Sequence, residues 1–177
     1  MIPDEPGVYV LCMRARESQE IIPGKRKVIH VDAREIYVYI GSALKGLRAR
    51  VGRHLAHQGK KMHWHVDYLL QVLDIFEIFY AMTDERKECE LSMQINQQCT
   101  FFTAVEGIGN SDCHSCPSHL YRHVKTDAPG ALDAALRAAF DHVGLVPCIL
   151  AIDSEPQTNE PGMQYRINNI QPKINAK

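Results

Sequence analysis

Apolar positions along the chain fall into a few runs with recognisable periods. Residues 7–14, GVYVLCMR, are rich in β-branched and aromatic side chains, which predicts a strand. Residues 35–41, EIYVYIG, alternate Ile36, Val38 and Ile40 with Tyr37 and Tyr39 and stop at Gly41, the period of two of a strand. Residues 75–81 read as a buried strand and 146–152 as a further one. Leu47, Val51 and Leu55 recur at every fourth position, so 47–58 reads as a helix with its arginines mostly on the other faces. Leu91 and Ile95 give the same spacing inside a helix over 86–98. Pro129-Gly130 opens an alanine- and leucine-rich helix to about residue 143, with Thr126 or Asp127 available as its cap. A short helical turn is expected over 66–70. Residues 15–34 are polar around Pro23-Gly24, which predicts an inserted hairpin with 28–31 as its return arm. Residues 107–119 read as a loop, and 154–162 as a polar, turn-rich stretch.

Composition bounds what these elements can build. The chain has 177 residues, of which 45% are hydrophobic and 23% charged, values of a folded domain with at most an appendage. A net charge of -1 excludes a uniformly basic nucleic-acid binder but leaves room for a local basic face. Such a face is present: between residues 44 and 65 stand Lys45, Arg48, Arg50, Arg53, Lys60 and Lys61, with His54, His57, His63 and His65 and no carboxylate. Between 66 and 90 follow Asp67, Asp74, Glu77, Asp84, Glu85, Glu88 and Glu90. That order suits a polyanion site beside a cation-binding carboxylate, and equally a solvated surface with chance clustering. No apolar run approaches the roughly 18 residues of a membrane span, and the first residues have neither the basic nor the apolar region of a secretory signal. A cytoplasmic protein without a membrane partner is expected. In that reducing compartment the cysteines are expected as buried thiols or metal ligands.

Three motifs stand in order: Gly7-Val8-Tyr9, then Tyr39-Ile40-Gly41 running into Ser42-Ala43 and the basic helix, then Glu88-Cys89-Glu90-Leu91. The set resembles the GIY-YIG nuclease superfamily, in which the helix after the second tripeptide carries a catalytic arginine and a later glutamate binds metal. Leu47, Arg50 and His54 match the Leu-x-x-Arg-Val segment of the excision-repair nucleases and the aromatic position that follows it. A closer similarity is to a branch of short microbial proteins, sometimes fused to an endonuclease III-type glycosylase. The shared residues are Tyr39-Ile40-Gly41-Ser42-Ala43, Gly46-Leu47, Arg50, Arg53-His54, Lys60-Lys61, Trp64-His65-Val66-Asp67-Tyr68-Leu69, Glu88-Cys89-Glu90-Leu91 and Ser111-Asp112-Cys113-x-x-Cys116-x-Ser118-His119-Leu120. The likeness spans roughly residues 5–122. Two departures stand out. Tyr9 and Tyr39 are 30 positions apart, which an inserted hairpin accommodates at little closure entropy. Ser42 stands where the repair nucleases have lysine, and Lys45 is available to compensate.

The resemblance implies an α/β fold: a small, three-stranded antiparallel central sheet flanked by helices. Residues 1–124 would form the nuclease domain, with the hairpin inserted at 15–34. Residues 125–177 would be a C-terminal extension packed on it. It implies Tyr9 as the residue that activates water, Tyr39 as its support, Arg50 on the phosphate, and Glu88 as the ligand of Mg²⁺ or Mn²⁺. Ser42, Lys45, Arg48, Arg53, His54, Lys60 and Lys61 would contact DNA. The residue types suit the chemistry, because phosphodiester hydrolysis needs an activated nucleophile and stabilised phosphoryl charge. Glu88 and Glu90 lie about 200° apart on a helix, so one of them faces the site; Glu88 shares the Leu91 face more closely, with Glu90 the alternate.

Cys113, Cys116 and His119 have zinc-ligand chemistry at tight spacing, without the second CxxC of a strong signature. A packed thiol and imidazole loop is the favoured explanation and zinc the alternative, and the Trp64-His65-x-Asp67 run suits metal, DNA or a structural lock. The leading expectation is a Mg²⁺-dependent DNA endonuclease in repair or processing, with a glycosylase or other repair protein as a partner. The rivals are a nucleic-acid-binding module without turnover and a zinc-stabilised interaction domain.

Overall fold

The computed structural model describes residues 1–23, 28–56, 62, 64–98, 100–109, 115–123 and 128–152. The long strands are β1 (Gly7–Ala15), β4 (Ile36–Ala43) and β5 (Leu73–Met82). β1 lies between the other two, antiparallel to both. Shorter strands extend this centre: β6 (Phe102–Ala104) and β7 (Leu120–His123) beyond β4, and β8 (Cys148–Ala151) beyond β5. The result is a six-stranded antiparallel sheet in the order β6-β7-β4-β1-β5-β8. A separate two-stranded arm, β2 (Gln19–Ile21) with β3 (Ile29–Val31), lies between β1 and β4 in sequence.

The expected three-stranded central sheet is therefore corrected to six strands. β6 and β7 are not legible in the sequence because FTA and LYRH are too short and too mixed in polarity to show a period of two. They become strands by pairing: Tyr39 sits opposite Leu120, and Phe102 opposite His123. The C-terminal stretch supplies an edge strand of the same sheet, with Tyr80 opposite Cys148.

Both faces of the sheet are covered, so alternation here sorts one core from another instead of core from solvent. Val8, Val10, Cys12, Val38, Ile40, Phe79 and Ala81 face one way. Helices α3 (Glu88–Gln97) and α4 (Ala131–His142) cover them with Leu91, Ile95, Leu136, Ala139 and Phe140. Tyr9, Leu11, Met13, Tyr37, Tyr39 and Ile78 face the other way. α1 (Leu47–Leu55) and α2 (His65–Leu69) close that side with Leu47, Val51, Val66 and Leu69, and the arm adds Ile29 and Val31. A register shift between Cys12 and Met13 lets Ile75 and Ile78 share one face of β5 despite their odd spacing.

The entry of α1 fixes the basic helix on the tyrosine face. Gly46 adopts φ 112°, and a β-carbon there would lie 2.6 Å from the Asp4 carbonyl oxygen. The first free N–H groups of the helix are taken by backbone: Leu47 donates to the Glu5 carbonyl and Arg48 to that of Pro3, both at 2.9 Å. At α4 the N-cap is Gly130 in the left-handed region; Thr126 and Asp127, the expected caps, lie outside the described residues.

Candidate active site

Tyr9 and Gly41 are register partners on neighbouring strands. The Tyr9 ring lies across Gly41, where an added β-carbon would fall on the phenol, 2.6 Å from Cζ. Only glycine leaves this space, which gives the last residue of Tyr39-Ile40-Gly41 a steric reason. Beneath the ring, α1 brings up His54, and the Tyr9 hydroxyl and His54 Nε2 are 2.8 Å apart in a buried hydrogen bond. Arg50, one turn earlier, brings its positive charge near the same phenol. The Arg50 guanidinium also stacks on the Trp64 ring, 4.7 Å from its centroid.

Burial nevertheless dominates the phenol. Desolvation pushes the Tyr9 hydroxyl up to about 12; Arg50 opposes this, while the charges of Asp67 and Glu88 add to it. Tyr39 is raised further, again chiefly by burial, then by Tyr9, with Arg50 opposing and Asp67 and Glu88 reinforcing. The two tyrosines, Arg50, Asp67 and Glu88 thus form one electrostatic unit at the end of the β1–β4 pair.

Glu88 opens α3 on the opposite face of the sheet and reaches this end through Ser42, whose hydroxyl donates to its Oε2. Ser42, read from sequence as a lost cation, holds the carboxylate instead. Glu90, the alternate ligand, is exposed and paired with Lys87 at 2.8 Å, away from this cluster.

The other predicted DNA contacts separate. Lys45 is exposed in the turn before α1. Arg48 pairs with Asp4 at 2.8 Å and donates to the Ile2 carbonyl. Arg53 donates to the fully buried Asp67 at 2.6 Å, tying α1 to α2. Asp67 also accepts from the Trp64 N–H at 2.9 Å, and His65 Nδ1 accepts from Gly109 N–H at 3.2 Å. The Trp64-His65-x-Asp67 run therefore holds α2 between α1 and the 105–109 segment. Lys60, Lys61, Cys113 and the 154–162 stretch lie outside the described residues.

Behind Glu88 stands a possible metal site that sequence spacing located only in part. Cys116 and His119 do come together, and their described companion is Cys89 of α3. The three ligand atoms lie within 4.8 Å of one another. In the sequence Cys89 stands inside a motif whose chemistry is carried by glutamates; the signal it offers is a third soft ligand beside the motif acid. His65, Asp67 and His54 belong to the motifs, but their ties across helices have no signature in linear spacing.

It is a family match that gives the class of this chain, a GIY-YIG-like domain. The chain belongs to the family described as "Domain of unknown function DUF123", whose model matches residues 8–142. That match runs through α4, past the end of the shared motifs near residue 122. No curated protein and no solved structure matches the chain. Among the described residues, no helix is long and apolar enough to cross a membrane.

Proposed function

We propose that this protein is a divalent-metal-dependent DNA endonuclease acting in repair or processing. The observation that carries the reading is the meeting of the Tyr9–His54 pair, Tyr39, Arg50 and Glu88 at one end of β1 and β4. A phenol held at about 12 is a poor base at neutral pH. His54 Nε2, bonded to it, supplies the acceptor: the attacking water gives a proton to the Tyr9 oxygen as the phenol passes its own to the imidazole. Arg50 has the forked donors that grip phosphate oxygens as charge builds on them. Tyr39 fixes the neighbouring wall. Glu88, held by Ser42, is an all-oxygen, part-exposed donor set that fits Mg²⁺ or Mn²⁺ completed by waters. When bound, such an ion stabilises the phosphoryl and leaving-group charge. The thiol and imidazole set behind it suits Zn²⁺ instead.

DNA would approach over the exposed Lys45, and a glycosylase or other repair protein fits as the supplier of damaged sites. The engagement of Arg53 by the buried Asp67 weakens the rival of a module that only tracks the phosphate backbone. The test is a panel of duplex, flap, Y-fork and abasic substrates with Mg²⁺ or Mn²⁺. Cleavage lost in Glu88→Ala, with DNA affinity kept within a few fold, is the expected result. No cleavage of any substrate, or cleavage indifferent to Glu88→Ala, overturns the reading.

A further inference from the structure

We propose that Cys89, Cys116 and His119 bind a Zn²⁺ ion that braces the start of α3 against the 115–119 segment and thereby fixes the position of Glu88. The zinc site stands on its own geometry; the role for Glu88 rests on the nuclease reading above.

Zinc bonds of about 2.3 Å to sulfur and about 2.0–2.1 Å to nitrogen set the edges of a tetrahedral site. They require sulfur–nitrogen separations of roughly 3.5–3.6 Å and sulfur–sulfur separations of roughly 3.8 Å. Cys89 Sγ and His119 Nε2 are 3.6 Å apart, already at that edge length. With all three ligand atoms within 4.8 Å, an inward shift of about 1 Å closes the set. Cys116 and His119 are buried at 5% and 6% exposure, so the site is screened from bulk water. The His119 backbone is fixed as well, its N–H donating to the Ile108 carbonyl at 2.8 Å. Two thiols and an imidazole select Zn²⁺ over the hard cations suited to Glu88. These three residues leave one corner of the tetrahedron for a water or a further ligand.

The brace follows from connectivity. Cys89 adjoins Glu88, whose carboxylate is held on its other side by Ser42. His119 is anchored to β4, the strand that carries the motif glycine, its carbonyl accepting from Ile40 N–H at 2.9 Å. Gly109 packs against both His119 and the Tyr39 ring, since a β-carbon on it would lie 2.9 Å and 3.1 Å from them. A metal at this point ties α3 to the strand and loop that frame the tyrosines.

The experiment uses the whole protein purified without chelator. About one zinc per chain is expected, with Co²⁺ substitution giving thiolate charge-transfer absorption and tetrahedral visible bands. Cys89→Ser and Cys116→Ser should each lose most of the metal, while Cys148→Ser on β8 keeps it. Mn²⁺ binding that depends on Glu88, titrated by paramagnetic resonance, should weaken roughly tenfold or more when zinc is removed. Zinc below a tenth of an equivalent after reconstitution, or a Cys89–Cys116 disulfide in its place, overturns the site. Full zinc with Mn²⁺ affinity unchanged by its removal overturns the brace. Full zinc with no Glu88-dependent Mn²⁺ binding in the intact protein overturns Glu88 as an ion ligand, and the brace with it, while the zinc site stands.

Discussion

The strands of this sheet send alternate residues to two buried faces, and the faces are built on different terms. Under α3 and α4, Val8, Val10, Val38, Ile40 and Phe79 meet Leu91, Ile95, Leu136 and Phe140. The polar atoms of Ser92 and Tyr121 on that side bond each other and nearby backbone. Under α1 and α2, the same strands present Tyr9 and Tyr39 to His54, Arg50 and the Arg53–Asp67 pair. Apolar burial stabilises without direction, whereas a buried polar group is costly unless its partners are in place. The tyrosine face therefore spends stability on a fixed arrangement of donors and charges, the pattern expected where a fold carries chemistry.

This contrast breaks first on the apolar side. Phe140→Ala should cost about 3–5 kcal/mol, because a fully buried ring leaves a cavity between α4 and the sheet. Chemical denaturation measures it. A loss below about 1 kcal/mol would mean that α4 is not part of the core.

On the tyrosine face, Asp67→Ala should cost about 2–4 kcal/mol, somewhat less than a wholly buried pair because Arg53 keeps 28% of its side chain exposed. The double substitution Asp67→Leu with Arg53→Met should recover much of the loss if the penalty is a stranded guanidinium. Equal losses in the single and double variants would show that Asp67 acts mainly through its cap on Trp64 N–H.

How much of this was legible in the sequence depends on the range of each interaction. The long strands and α1, α3 and α4 carry periods of two or about four, and the order of motifs points to the Tyr39-Ile40-Gly41 part of β4 as the place of the candidate site. β6 and β7 carry no period, because they are held by their neighbours' hydrogen bonds more than by their own residues. The same limit hid Cys89 beside His119 and Asp67 beside Arg53, pairs 30 and 14 positions apart whose meeting depends on how two elements dock. Ser42 misled for a different reason: comparison with a lysine suggested a missing charge, whereas its hydroxyl is a donor to Glu88.

The Tyr9–His54 bond separates stability from function within the polar face. Tyr9→Phe removes one buried hydrogen bond, about 1 kcal/mol, and leaves the ring over Gly41. Cleavage should nevertheless fall at least a hundredfold, the usual effect of removing a proton-transfer group. Tyr9→Phe with full activity would move the proton path to Tyr39 or to water.

The smallest expected effect lies at the far edge of the apolar face and is read by pH. His123 is buried between Phe101 and Phe102, stacked on the first at 6.4 Å between centroids and tilted to the second at 4.9 Å. Among the described residues neither of its ring nitrogens has a hydrogen-bond partner. Burial lowers its proton affinity from the ordinary value of 6.5. The unfolded chain then binds more protons than the folded one just below that value, so folding stability rises with pH there. The contribution is fully present above about 6.5 and is lost as pH falls through the lowered folded value. His123→Phe keeps an aromatic ring in the stack and removes the titration. The variant should match the native protein's stability slope above neutrality and lose stability less steeply below it, measured by urea unfolding across that range. Parallel curves at all pH values would assign the acid sensitivity to other groups and leave His123 as a packed ring alone.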